Sequence, residues 1–204
     1  MAERLVVLDI GGVPRAARLL ARAFAADPVL LYYLASPARR RLALSAFFRV
    51  ALYEVLPQRS VFGVLEDDEL VGVAAWLPPL AAPASTHARV WASRVMLRAL
   101  FPVAAGKLLA GFAGLSPLHP AEPHWYLPFV GIEPARQRQG LGARLLAPVL
   151  KKADTDGILC YLETPFRETH RFYQRLGFEI TSESRPFEAP VSIWAMLRPP
   201  AAKT

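Results

Sequence analysis

With 204 residues, 53% of them hydrophobic and 20% charged, the chain is long enough to bury a core and too apolar to remain disordered. Its net charge of +7 favours anionic ligands without naming one, and its lone cysteine, Cys160, excludes an internal disulfide and fits a reducing compartment. The opening MAERLVVLDI lacks the basic-then-apolar layout of a signal peptide, and residues 90–115, the most apolar region, are broken by Arg94, Arg98, Pro102 and Lys107. Buried helices are expected there rather than a membrane span, and a cytoplasmic location follows as the default. The basic run Arg39-Arg40-Arg41 has no aromatic ladder beside it and reads as a solvated helix end, so neither a nucleic-acid nor a membrane partner is expected.

In chain order, residues 5–10 predict a short strand. Gly11-Gly12-Val13-Pro14 then turns into a helix reaching about residue 26, with Val13, Ala17, Leu20 and Ala21 on one side. Asp27-Pro28 stops it, because the residue before a proline resists helical geometry. A second helix is expected over 37–56, then a hairpin of strands 61–65 and 70–76 around the turn EDDE. Residues 85–115 carry helical periodicity, broken near Pro102, and suggest a helical insertion over about 84–118.

The next strand spans residues 124–132 and has Pro128 at its middle. Proline cannot donate to the ladder, so a bulge or local splay is expected. After Glu133-Pro134 comes a helix striped by Leu141, Leu145, Leu146, Val149 and Leu150, ended by Gly157. A strand over 158–163, a short helix over 168–176 capped by Gly177, and strands over 178–181 and 192–197 complete a mixed α/β single domain covering residues 1–204.

The stretch ARQRQGLGARLL, residues 135–146, sets two glycines where an apolar helix begins. A helix N-terminus offers unpaired N–H groups and a positive dipole end, and glycines let a bulky anion come close. The nucleotide P-loop pattern GxxxxGK[ST] finds no match, and the dinucleotide pattern GxGxxG fails because Leu145 stands at its last position. The pattern Gln/Arg-x-x-Gly-x-Gly/Ala is met by Gln137-Arg138-Gln139-Gly140-Leu141-Gly142.

On that loop, on the preceding VGIEP and on the later FYQRLGF, with Phe172, Tyr173, Gly177 and Phe178, the chain resembles the GNAT superfamily of N-acetyltransferases. The segments EPHWYLPFVGIEP, RQGLG, LETP and FYQRLGFEIT are most similar to puromycin N-acetyltransferase-like proteins. The resemblance implies a mostly antiparallel twisted sheet splayed at the bulged strand, with helices on both faces. It implies acetyl transfer from acetyl-coenzyme A directly to a primary amine of a small, antibiotic- or metabolite-like molecule, by a monomer or homodimer and without a metal. A protein N-terminal or lysine acetyltransferase and a non-catalytic coenzyme A-binding protein are the alternatives.

By that resemblance the backbone of Gln137, Arg138, Gln139, Gly140, Leu141, Gly142 and Ala143 holds the diphosphate. Phe129, Val130, Gly131 and Ile132 contact the pantetheine arm, with an N–H near Phe129 or Val130 polarising the thioester carbonyl. Phe172 and Thr169 complete the cofactor side, threonine standing where relatives commonly carry asparagine. Tyr173 is placed to protonate the leaving thiolate. Its alternative is an aromatic packed beside Phe172.

Glu163 ends a strand beside this site and is the candidate base. Its alternative is a partner for a backbone or arginine group. His124 ranks below it as a base. Phe24 and Trp76 are expected in the core, whereas Tyr32 and Tyr33 are open candidates for the acceptor wall.

Overall fold

The computed structural model describes residues 3–34, 36–79 and 113–201. The helices expected over 85–115 therefore lie outside the described residues, apart from a turn at 113–115; a short 3-10 helix at Ser116–Leu118 follows.

Strand β1, Glu3–Val7, is followed by helix α1, Val13–Ala23, with Pro14 in its first turn. The stripe Val13, Ala17, Leu20, Ala21 is buried as expected. Asp27 takes extended geometry and ends that segment, yet it also starts another helix, α2, Pro28–Tyr33. Its carboxylate accepts from the Leu30 N–H at 3.0 Å, and Pro28 sits at the first helical position, where a fixed φ suits the helix. The expected stop was correct, and the restart was missed. Helix α3, Pro37–Val55, matches its expected span.

β2, Val61–Glu66, and β3, Glu69–Leu77, form the expected hairpin. Asp67 and Asp68 both take positive φ, the conformation of tight hairpin turns. β4 runs His124–Ile132, α4 Leu141–Asp156, β5 Leu159–Thr164, α5 His170–Arg175, β6 Glu179–Ser184 and β7 Ile193–Arg198. Among the described residues the sheet order is β1-β2-β3-β4-β5-β7-β6, with β4–β5 paired in parallel and the other pairings antiparallel.

Each face of the sheet carries its own core. α1 and α3 pack on one face over Val61, Val73, Ala75, Leu77 and Phe129. α4 and α5 cover the other over Val64, Trp76, Trp125, Leu127, Cys160 and Leu162. The five-residue stripe of α4 is buried there, and removing one of its leucines is expected to cost about 2–5 kcal/mol. Arg198 at the end of β7 pairs both oxygens of Asp154 on α4, at 2.7 and 2.8 Å, and donates to the Leu176 carbonyl. The guanidinium holds Asp154 below the usual carboxylate range.

Candidate active site

Two features open the sheet. β4 pairs with β3 in register at Phe129–Ala75 and Tyr126–Leu77, so three residue steps on β4 answer two on β3. That extra residue is the bulge expected around Pro128. On its other edge β4 pairs with β5 only from His124–Leu159 to Tyr126–Tyr161. Beyond Tyr126, alternate residues of β4 turn their N–H and C=O groups away from β3 toward an edge that β5 has left.

The loop from β4 to α4 stands beside this edge. Gly140 caps α4 in left-handed geometry, φ +81°, with open space where a Cβ would lie. The requirement for glycine there is therefore conformational. Arg144 donates to the Gly140 carbonyl at 3.2 Å, so the N–H groups of Leu141, Gly142 and Ala143 belong to the first turn, which has no intrahelical acceptor. Unpaired amides and the positive end of a four-turn helix fit an anionic diphosphate.

The basic side chains divide their work. Arg136 is bound to the buried Glu66 carboxylate and also donates to Gln139 at 3.2 Å. Arg136 is thus a structural clamp rather than a solvated charge. Gln137 ties back to the Ile132 carbonyl at 3.4 Å. Arg138 is exposed, at φ +60°, and makes no such tie among the described residues. Arg22 closes the base of the loop on Glu133 at 2.7 Å.

Gly142 has a packing reason for its small size besides the clearance the sequence suggests. A Cβ there would meet the Phe172 ring at 3.0 Å, so α5 closes directly on the first turn of α4. Tyr173 lies next on that face, its ring 5.0 Å from Phe172 and 5.9 Å from Phe178. Burial pushes its phenol well up, so the hydroxyl keeps its proton at neutral pH. Thr169 donates to the Phe166 carbonyl at 2.7 Å and lies 3.2 Å from the Thr164 hydroxyl. Its proton serves the β5–α5 turn, leaving oxygen lone pairs for any further contact.

On the opposite face the polar groups gather. Cys160 and Leu162 face the α4 core, so alternation turns Tyr161 and Glu163 toward the α1 side. The Glu163 carboxylate lies 2.9 Å from His119 Nε2, both side chains nearly fully buried at 4% and 6% exposure. Tyr126 and Tyr161 flank it. Burial, then the charge of Glu163, raises both phenols, so they remain neutral. His119 Nδ1 meets His124 Nε2 at 3.1 Å, and His124 Nδ1 lies 2.8 Å from the Glu122 carbonyl. The backbone or arginine partner held open for Glu163 is replaced by a histidine.

The structure thus brings Glu163 and His124 into one cluster and sets Tyr173 across the sheet from it. His119 was missed. It stands in a proline-spaced loop without periodicity, and only its nearness in sequence to His124 pointed to it. Cys160, fully buried, is pushed up to about 12 by burial and stays a thiol. Phe24 packs 5.0 Å from Phe48 and 6.5 Å from Phe129, and Trp76 is fully buried, so both are core as expected. Of the adjacent tyrosines, Tyr33 turns inward and accepts from the Glu188 N–H at 3.0 Å, while Tyr32 is exposed.

No helix among the described residues is long and apolar enough to cross a membrane, and no cluster of metal-binding side chains occurs among them. Residues 89–178 match the family model of the acetyltransferase (GNAT) family. A Corynebacterium glutamicum protein described as histone acetyltransferase HPA2 and related acetyltransferase is 25% identical, with a TM-score of 0.75 over 100% of this chain and 99% of its own. The PaiA N-acetyltransferase of Thermoplasma acidophilum, solved with coenzyme A, shares the fold at 13% identity and TM-score 0.61, covering 98% and 99% of the two chains. The polyamine N-acetyltransferase of Drosophila melanogaster, which forms N-acetylagmatine, does so at 16% identity and TM-score 0.62, over 97% and 100%. Residues 89–178 thus match the acetyltransferase (GNAT) family model, and the mixed α/β fold is similar to that of GNAT acetyltransferase structures, which is consistent with an acyltransferase.

Proposed function

We propose that the protein acetylates the primary amine of a small molecule, antibiotic- or metabolite-like, and that Glu163 is the base that readies the amine. The observation that carries this is the buried Glu163 carboxylate ringed by Tyr126, Tyr161 and His119 at the parting of β4 and β5. Acetyl-coenzyme A supplies an activated thioester. The amides of residues 138–143 hold its diphosphate, helped by the exposed Arg138. The open edge of Phe129, Val130, Gly131 and Ile132 takes the pantetheine arm, with an N–H near Phe129 or Val130 aimed at the thioester oxygen. Phe172 walls the arm, and the Thr169 oxygen is left to accept from it.

An amine arrives as an ammonium and must lose a proton before attack. Glu163 accepts that proton, because the phenols beside it are held neutral and cannot. Tyr173, protonated and on the cofactor face, donates to the departing thiolate. The arrangement of two groups on two faces supports direct transfer, with no covalent enzyme intermediate.

Aromatic walls around the carboxylate suit a compact amine head better than an acidic groove for a peptide, and this favours a small acceptor over a protein N-terminus or lysine. The likeness to the polyamine enzyme agrees with that preference, and the motifs shared with puromycin N-acetyltransferase-like proteins point the same way. A cytoplasmic site of action follows from the use of acetyl-coenzyme A.

Glu163→Gln is the test. A panel of amines assayed by free-thiol release is expected to show turnover reduced by about 10²–10⁴-fold at unchanged acetyl-coenzyme A affinity. Undiminished turnover removes Glu163 as the base.

A further inference from the structure

Two carboxylates near the free edge of β1 stand where a sheet disfavours them. Glu3 on β1 and Glu66 on β2 are directly opposite in the register, so their side chains leave the same face, and like charges so placed repel. The Glu66 side chain is only 5% exposed and that of Glu3 26%. Each is answered by an arginine from the segment that joins β4 to α4. Arg136, in the 3-10 turn Pro134–Arg136, binds Glu66, and Arg144, in the first turn of α4, binds Glu3. Residues 137–143 lie between these two grips.

Inside the bracket the backbone is held against its preference. Arg138 takes φ +60°, a left-handed conformation that is costly for a residue with a side chain. Its two neighbours are both tethered. Gln137 donates to the Ile132 carbonyl at 3.4 Å, and Gln139 accepts from Arg136 Nε at 3.2 Å. Gly140 follows in the same left-handed region and opens α4. The turn that presents the first amides of α4 is thus one strained residue and one glycine, kept in place from Glu66 through Arg136 and Gln139.

Charge alone does not account for this arrangement. Two arginines that could face an anion are turned to carboxylates, and two negative charges stand behind a loop suited to a diphosphate. What the ion pairs supply is geometry.

We propose that Glu66 and Glu3 are positioning residues for acetyl-coenzyme A: by gripping Arg136 and Arg144 they set residues 137–143 in their binding conformation before the cofactor arrives. The proposal rests on the assignment of these amides to the diphosphate. A loop ordered in advance has less freedom to lose on binding. Both carboxylates act through an arginine, so neither is a catalytic residue.

The sign of the effect separates positioning from charge. Removing a carboxylate behind an anion site, and freeing an arginine beside it, raises affinity where the pairs only balance charge. Where they hold the loop, affinity falls. Coenzyme A titrated by calorimetry into Glu66→Gln is expected to bind about 10-fold or more weakly than to the unsubstituted protein. Glu3→Gln, at the more exposed pair, is expected to show a smaller loss. Pantetheine, the thiol arm without the diphosphate, is expected to bind all three proteins alike by ligand-observed NMR. With no ligand added, amides of 137–143 are expected to exchange faster in Glu66→Gln while those of β5 and β7 keep their rates.

Unchanged or raised coenzyme A affinity in both variants overturns the proposal. So does an equal loss for pantetheine, which marks a general loosening of the fold. Where Glu66→Gln does not fold, Glu3→Gln decides by the same criteria. An unsubstituted protein that binds pantetheine and not coenzyme A removes the diphosphate assignment beneath the proposal, which is a separate failure.

Discussion

The two faces of the sheet meet their tasks by different means. In the proposed function, recognition on the α4 face falls to main chain: amides of a helix start, a strand edge that β5 has left, and a glycine that lets Phe172 close in. On the α1 face the same proposal gives it to side chains, with Glu163, His119, His124, Tyr126 and Tyr161 drawn from two strands and a loop. A main-chain site tolerates many side chains and leaves a compact signature in sequence. A side-chain site depends on positions far apart in the chain, and its signature is scattered.

Substitutions sharpen that contrast. The largest expected effect is Gly142→Trp, which displaces Phe172 and fills the approach to the α4 amides. Acetyl-coenzyme A binding, read by calorimetry, should be lost while the circular dichroism of the fold persists. Unchanged affinity would break the assignment of the α4 face.

Next is Tyr173→Phe, expected to lower kcat by about 10²-fold with little change in acetyl-coenzyme A affinity. Full activity across the amine panel ends the acid role of this tyrosine, and with it the division of acid and base between faces.

The smallest effect lies in stability on the α1 side. Burial raises Asp27 to about 6 from 3.8 despite its cap bond to Leu30. A folded-state value above the unfolded one means the folded protein binds more protons between the two. Stability is therefore expected to fall as pH rises from about 4 to about 6, by roughly 2 kcal/mol. Asn in place of Asp27 keeps the acceptor without the charge. Thermal melts of Asp27→Asn at pH 5 and 7.5 should lose that dependence, with a higher Tm at 7.5.

The same contrast explains what could be read in advance. Pro128 announced the bulge because a missing N–H is a local property. The α4 stripe announced its buried face through periodicity. Gly142 was read as clearance for a ligand, and the contact it makes is with Phe172, a residue thirty positions later. α2 escaped notice because Asp-Pro marks an ending and a beginning equally well. His119 escaped because proline-spaced loops carry no period, so only the folded chain brings its ring to Glu163.

The parallel join between β4 and β5 has a mechanical consequence. Among the described residues, three residue pairs stitch β1–β4 to β5–β7–β6 through the backbone, while α4 lies across Trp76, Trp125 and Leu127 on one side of the join and Cys160 and Leu162 on the other. Among the described residues the half-sheets are strapped by α4 on one face and by the core that joins α1 and α3 to Ile193 on the other. A wedge inserted at the seam strains these straps rather than either half-sheet, so amides of α4 should report occupancy through slower exchange before any strand does.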